Sequence, residues 1–223
     1  MTHAEPAGPR RIEVAPERFT GWIEAFGGRH GALSAEPGPE VVVVRAADGA
    51  VAVCHPPFPP LAADPGTDAA SLAALLAAHA AADRTVGVLL VRLGGYAAGV
   101  FTGAPPQLAA SKVGARLVHG RSAAGGQSQQ RFARRREKQA AEALGAAADT
   151  AVAVFGRYGS PLDAVVLGGD RRAVAALRED PRLSRYFGIA VERFLTVPDP
   201  RLAVLRQTPR MFRSIRIQLT EPG

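Results

Sequence analysis

Hydrophobic positions recur along this chain in short blocks divided by glycine- and proline-rich breaks. After a polar lead of residues 1–9, an apolar pattern starts at Arg11, and Pro16 suits the first turn of a short helix. That helix would carry Phe19, Trp22, Ile23 and Phe26 at helical spacing, and Gly27-Gly28 is expected to end it. Glu36-Pro37-Gly38-Pro39 reads as a break. Residues 41–45 and 51–54 read as strands, with Asp48-Gly49 the turn between them. A proline-rich loop over 55–65 leads to a helix capped by Asp68 or Ser71 and running to about residue 82. Leu72, Leu75 and Leu76 are expected on its buried side.

The pattern then tightens. Residues 85–93 are nearly all apolar and predict a central strand, which Gly94-Gly95 turns into a hairpin partner over 96–101. Residues 111–118 supply a third antiparallel strand and deliver the chain to residues 119–130. A single long helix follows, from about 128 to 155. Ala133, Ala140, Leu144, Ala147, Ala151 and Val154 fall on one stripe of it. Residues 163–167 predict another buried strand, and Gly168-Gly169-Asp170 turns into a helix with Val174 and Leu177. A second short helix is read over 181–187, and strands over 191–197 and 214–219. Residues 200–207 fit helix or strand equally.

Early hairpins followed by strand-helix-strand units predict an α/β fold, a mixed β-sheet with flanking helices. The expected division is an N-terminal extension with a short helix, residues 1–35, and a second domain over 36–223.

Composition narrows the class. The 223 residues are 47% hydrophobic and 21% charged, too apolar for a disordered chain, and no run reaches membrane-spanning length. The polar start lacks the apolar core of a secretion signal, and Cys54 is the only cysteine, so a cytoplasmic setting and no internal disulfide are expected. Five scattered histidines beside one cysteine predict no metal site, and no cofactor motif is present. Residues 115–122 echo a phosphate-binding loop, but the first glycine is alanine and the lysine is arginine. Lys and Arg number 27 against 20 Asp and Glu, a net charge of +7 that favours an anionic partner.

The chemistry concentrates in one segment, His119-Gly120-Arg121-Ser122-Ala123-Ala124-Gly125-Gly126-Gln127-Ser128. Small residues run to Gly126, a polar amide follows, and a basic helix comes next. Arg131, Arg134, Arg135 and Lys138 fall opposite the alanine-leucine stripe, so a glycine-containing tip stands ahead of a positive helical face. Such a face can follow a phosphate backbone and hold the tip in register. The plainer reading is a solvated charge run after a glycine turn. Lys112, Arg116 and Arg121 extend the basic track, Ser128 suits an N-cap, and His119 is either an RNA contact or a structural histidine.

These residues also resemble a known family. Gly125-Gly126-Gln127-Ser128, then Arg131-Phe132-Ala133-Arg134 and Arg136, resemble the catalytic loop and following helix of eukaryotic and archaeal class-I peptide release factors. His119-Gly120-Arg121 is similar to the lead-in, with Ser122-Ala123-Ala124 inserted before the glycines. The chain resembles only the middle domain of those factors, of RNase H-like type. No stop-codon-reading domain and no GTPase-binding domain is recognisable, which is similar to the stand-alone, actinobacterial-type branch of the Vms-like release-factor family.

The resemblance implies a peptidyl-tRNA hydrolase on the large ribosomal subunit, freeing stalled nascent chains in ribosome quality control. Gly125 and Gly126 would let backbone approach the tRNA terminus, and Gln127 would offer its N–H to the oxyanion and its amide to the attacking water. His119, Arg121, Ser128, Arg131, Arg134, Arg135 and Lys138 would contact RNA. Peptidyl-tRNA and rRNA are the partners, with no membrane and a monomer as the default. Two other readings stay open: cleavage of the tRNA near its 3′ end, and a non-catalytic ribosome-docking module.

Overall fold

The computed structural model describes residues 9–92, 94–115 and 128–222, and the side chains of residues 128–136 are left aside. The chain forms two compact units, Met1–Ala82 with Arg210–Gly223, and Asp83–Pro209. The expected single sheet is two five-stranded sheets, so the α/β class holds while the layout differs.

The first unit is an antiparallel sheet in the order β1-β10-β4-β3-β2, from β1 (Arg10–Val14), β2 (Leu33–Pro37), β3 (Val42–Ala46), β4 (Val51–His55) and β10 (Ile215–Thr220). Helices α1 (Pro16–His30) and α2 (Ala69–Ala81) supply the rest of its core. Alternation sets the inward face: Val42 and Val44, Ala52 and Cys54, and Ile215, Ile217 and Leu219 point into one cluster with Phe19, Phe26, Leu72 and Leu76. Asp68 caps α2 by accepting from the N–H groups of Ala70 and Ser71, both at 3.0 Å. Leu75 is 37% exposed, contrary to expectation. It stands about 100° round the helix from Leu76, off the inward stripe.

Three other expectations change here. Helix α1 runs through Gly27-Gly28 and stops at Gly31, whose φ of 89° suits a residue without a β-carbon and whose N–H reaches the Gly27 carbonyl. The boundary placed at 35/36 falls inside β2, which pairs with β3 from Leu33↔Ala46 to Pro37↔Val42. Strand β1 lies within the supposed extension and pairs with β10, so β1 and β2 are both strands of this unit's sheet.

The second unit is a mixed sheet in the order β7-β6-β5-β8-β9. Strand β5 (Val86–Arg92) is central, antiparallel to β6 (Gly95–Thr102) and parallel to β8 (Ala164–Gly169). Strand β7 (Gln107–Ala115) forms one edge and β9 (Ala190–Leu195) the other. The parallel pair is fastened at its start, where Thr85 N–H donates to Asp163 Oδ2 at 2.7 Å and Asp163 N–H to the Thr85 carbonyl at 2.9 Å. Burial on both faces explains the unbroken apolar runs of β5 and β8.

Helix α3 (Ser128–Arg157) covers one face, burying Ala147, Ala148, Ala151 and Phe155 against Leu89, Ala98, Val100 and Val165. Helices α4 (Arg171–Leu177) and α5 (Ser184–Gly188), joined by a 3-10 turn Pro181–Leu183, complete that layer with Val174, Leu177, Leu183 and Tyr186. Residues 202–212 resolve as helix α6 (Leu202–Phe212) despite Pro209 in its interior. Pro209 has no N–H for the Leu205 carbonyl, and the Thr208 hydroxyl donates to that oxygen instead, at 2.7 Å. No helix among the described residues is long and apolar enough to cross a membrane.

Candidate active site

Two elements frame the segment singled out in the sequence. Strand β7 ends at Ala115, opposite Gly95, and α3 opens at Ser128. His119, Arg121, Gly125, Gly126 and Gln127 lie between them, outside the described residues, as does Arg116. Ser128, Arg131, Arg134 and Arg135 stand at the start of α3, and Lys138 is exposed further along it.

The launching strand is held from one side. Tyr96 of β6 stands directly opposite Gly114 of β7, and its half-buried ring packs with the α3-side core. A β-carbon at Gly114 would lie 2.3 Å from that ring, so only glycine lets the ring lie there. The last residues of β7 are thereby gripped before the chain leaves the sheet. Lys112 and Val113 of the same strand are exposed.

Helix α3 divides in two. Ala147 and Ala151 are fully buried and Val154 nearly so, whereas Ala140 and Leu144, on the same stripe, are half-buried. The small side chains let the second half lie close to β6, while residues 137–146 are half-buried or exposed. A helix of 30 residues spans about 45 Å, so one rigid element carries the core contacts at one end and the basic stretch at the other.

Among the described residues, the titratable groups with displaced pKa values lie outside this segment. Burial pushes the Cys54 thiol up to about 12, which makes it an inert core residue. Hydrogen bonding to Arg182 holds the Asp180 carboxyl below the usual range, and Asp180 with Asp149 raises the Arg182 guanidinium. Among the described residues, no group of three or more His, Cys, Asp or Glu is placed to hold a metal ion.

Sequence reasoning missed one surface. Arg178 lies over Phe187 with its guanidinium carbon 4.7 Å from the ring centre, and Arg185 lies over Tyr186 at 4.5 Å. The alternation of arginines and acidic residues over 178–185 hid it.

Comparison with known proteins agrees with this frame. Residues 84–218 match the family model acVLRF1, described as the Actinobacteria/chloroflexi VLRF1 release factor. The match begins one residue inside the second unit, spans all of its remainder, and covers more than half of the chain. It sets the chain among release factors. More particularly, the protein belongs to the actinobacterial and chloroflexi VLRF1 release-factor family. No curated protein matches it. Solved structures similar to it include an archaeal translation termination factor, aRF1, at 13% identity and a TM-score of 0.38, covering 94% of this chain and 68% of that one. Pelota of Archaeoglobus fulgidus is similar at 12% identity and a TM-score of 0.28, with 95% and 67% covered. A chain titled only as an archaeal protein gives 14% and 0.32, with 92% and 64% covered.

Proposed function

We propose that the protein is a cytoplasmic, ribosome-associated peptidyl-tRNA hydrolase that frees nascent chains from stalled large subunits. The observation that carries this reading is Gly125-Gly126-Gln127-Ser128, followed by Arg131-Phe132-Ala133-Arg134, at the head of α3 and inside the region matched to a release-factor family.

The ester joining peptide to tRNA needs an attacking water, a stabilised oxyanion and a proton for the departing oxygen. Gly125 and Gly126 remove side-chain bulk, so backbone can reach the tRNA terminus. The Gln127 N–H faces developing negative charge, and its side-chain amide orients the water. The sequence from Gly120 to Ser128 contains no carboxylate or imidazole, so positioning and fixed dipoles supply the rate rather than proton transfer by a side chain. His119 and Arg121 with Arg131, Arg134, Arg135 and Lys138 contact RNA phosphates and keep the tip in register. No cofactor is required.

The test uses purified large subunits carrying labelled peptidyl-tRNA. Wild-type protein should release the peptide, and Gln127→Ala, which keeps the backbone N–H and removes only the water-orienting amide, should slow release by about 10²-fold while still binding the subunit. The mass of the product names the bond, since cleavage of a phosphodiester leaves nucleotide on the peptide. Binding without release by either protein would make this a docking module instead.

A further inference from the structure

The far end of α3 carries a second basic surface, built differently from the first. Arg157 closes the helix, and α5 packs against the same turn, with Phe155 edge-on to Tyr186 at 5.0 Å between ring centres. Gly156 lies beside them: a β-carbon would stand 3.8 Å from both the Arg185 guanidinium and the Tyr186 hydroxyl, an ordinary van der Waals contact. Arg185 donates a hydrogen bond to that hydroxyl with its guanidinium carbon over the ring, and Arg178 lies over Phe187. These guanidiniums are held by stacking, which leaves their charge uncompensated.

The acidic residues nearby are occupied. Arg182 donates to Asp180 and to Asp149, each at 2.7 Å, tying the 3-10 turn to α3. The Asp170 carboxylate accepts from the backbone N–H groups of Arg172 and Ala173 as the cap of α4. Arg157, Arg178 and Arg185 are all exposed, and none is within ion-pair distance of a carboxylate among the described residues. Glu179 is the one acidic side chain of this stretch left over.

We infer that Arg157, Arg178 and Arg185 form an RNA-docking surface that engages a stretch of rRNA distant from the rRNA contacted by the basic start of α3. Arginines held over aromatic rings keep their N–H donors free of a carboxylate partner, which suits phosphate oxygens. The inference rests on the ribosomal reading above. With α3 about 45 Å long, the two RNA contacts are set apart by the length of one helix.

Vacant large subunits separate this inference from the chemistry, because binding to them needs no peptidyl-tRNA. The Arg157→Gln/Arg178→Gln/Arg185→Gln protein is compared with the matching triple lysine protein, each first checked for an unchanged circular dichroism spectrum. The glutamine protein should bind about tenfold more weakly near 0.1 M salt, with the salt dependence reduced by about 2 in log–log slope. The lysine protein should keep most of both. Hydroxyl-radical footprinting with wild-type protein should show two protected rRNA regions, and the glutamine protein should lose one. Equal affinity and slope in wild type and the glutamine protein, or weakened binding with both footprints intact, overturns the assignment to RNA. So does wild-type protein that does not bind the subunit.

Discussion

The two units are built from similar parts and differ sharply in charge. Residues 83–209 hold 19 Lys and Arg against 10 Asp and Glu, whereas the rest of the chain holds 8 against 10. The overall +7 is therefore +9 in one unit and −2 in the other. Each has a five-stranded sheet and an aliphatic core, so folding does not demand the difference. The charge that favours an anionic partner belongs to the second unit only. The only tryptophan and the only cysteine, Trp22 and Cys54, both lie in the acidic unit, so fluorescence and thiol labelling observe it selectively.

The largest expected effect comes from breaking the acidic unit alone. Phe26 is fully buried and stacks on Trp22 with 5.4 Å between ring centres. Phe26→Ala should cost about 3–5 kcal/mol, measured as a lower urea midpoint in Trp22 fluorescence. Cys54, with its pKa near 12, should resist thiol reagents at pH 8 in native wild type and react in the variant at a urea concentration where wild type is still protected.

A smaller effect concerns the basic unit. Replacing Arg131, Arg134 and Arg135 together by glutamine should weaken binding to large subunits roughly 10- to 100-fold near 0.1 M salt. The log–log salt slope should fall by about 2 to 3. A salt response equal to that of wild type would remove α3 as the phosphate-facing element.

The smallest effect is acid sensitivity. Backbone N–H groups hold Asp48 below the ordinary range through Ala50, and Glu17 likewise through its own amide. Asp68 is lowered by hydrogen bonds from Ser71 and from the first amides of α2. A depressed folded-state pKa contributes stability that is present above the unfolded value and fades as pH falls through the folded one, here below about pH 4. The Trp22-monitored midpoint should therefore drop between pH 5 and pH 3, and less steeply in Asp68→Asn. An unchanged slope in that variant would remove the cap as a source of the acid loss.

Much of this was legible in the sequence where the signal is local. The hairpin of β5 and β6, the buried strand β8 and the stripe on α3 follow from period and turn residues. Strand β2 was not, because Leu-Ser-Ala-Glu-Pro has no β-branched residue, and proline is tolerated there only because the strand lies on an edge. The pairing of β10 with β1 and β4 is invisible to any local pattern, and this pairing turned one expected sheet into two. The reading of Gly125 to Gln127 rests on residue identity alone, since these residues lie outside the described ones. The Arg178 and Arg185 surface was not legible, since its character depends on rings brought up by α5.

The place of β10 also sets an order of events during synthesis. It lies between β1 and β4, yet about 160 residues separate it from β4 in the chain. At roughly 5–20 residues per second, the ribosome needs about 10–30 s to deliver it. Until then β1 has no neighbour in its sheet, and β4 has one unpaired edge. The Asp83–Pro209 unit is continuous in sequence and can close its sheet in that interval. The nascent protein thus completes its second unit before its first, and a chain cut short of residue 215 would leave the first unit with a gap through its middle.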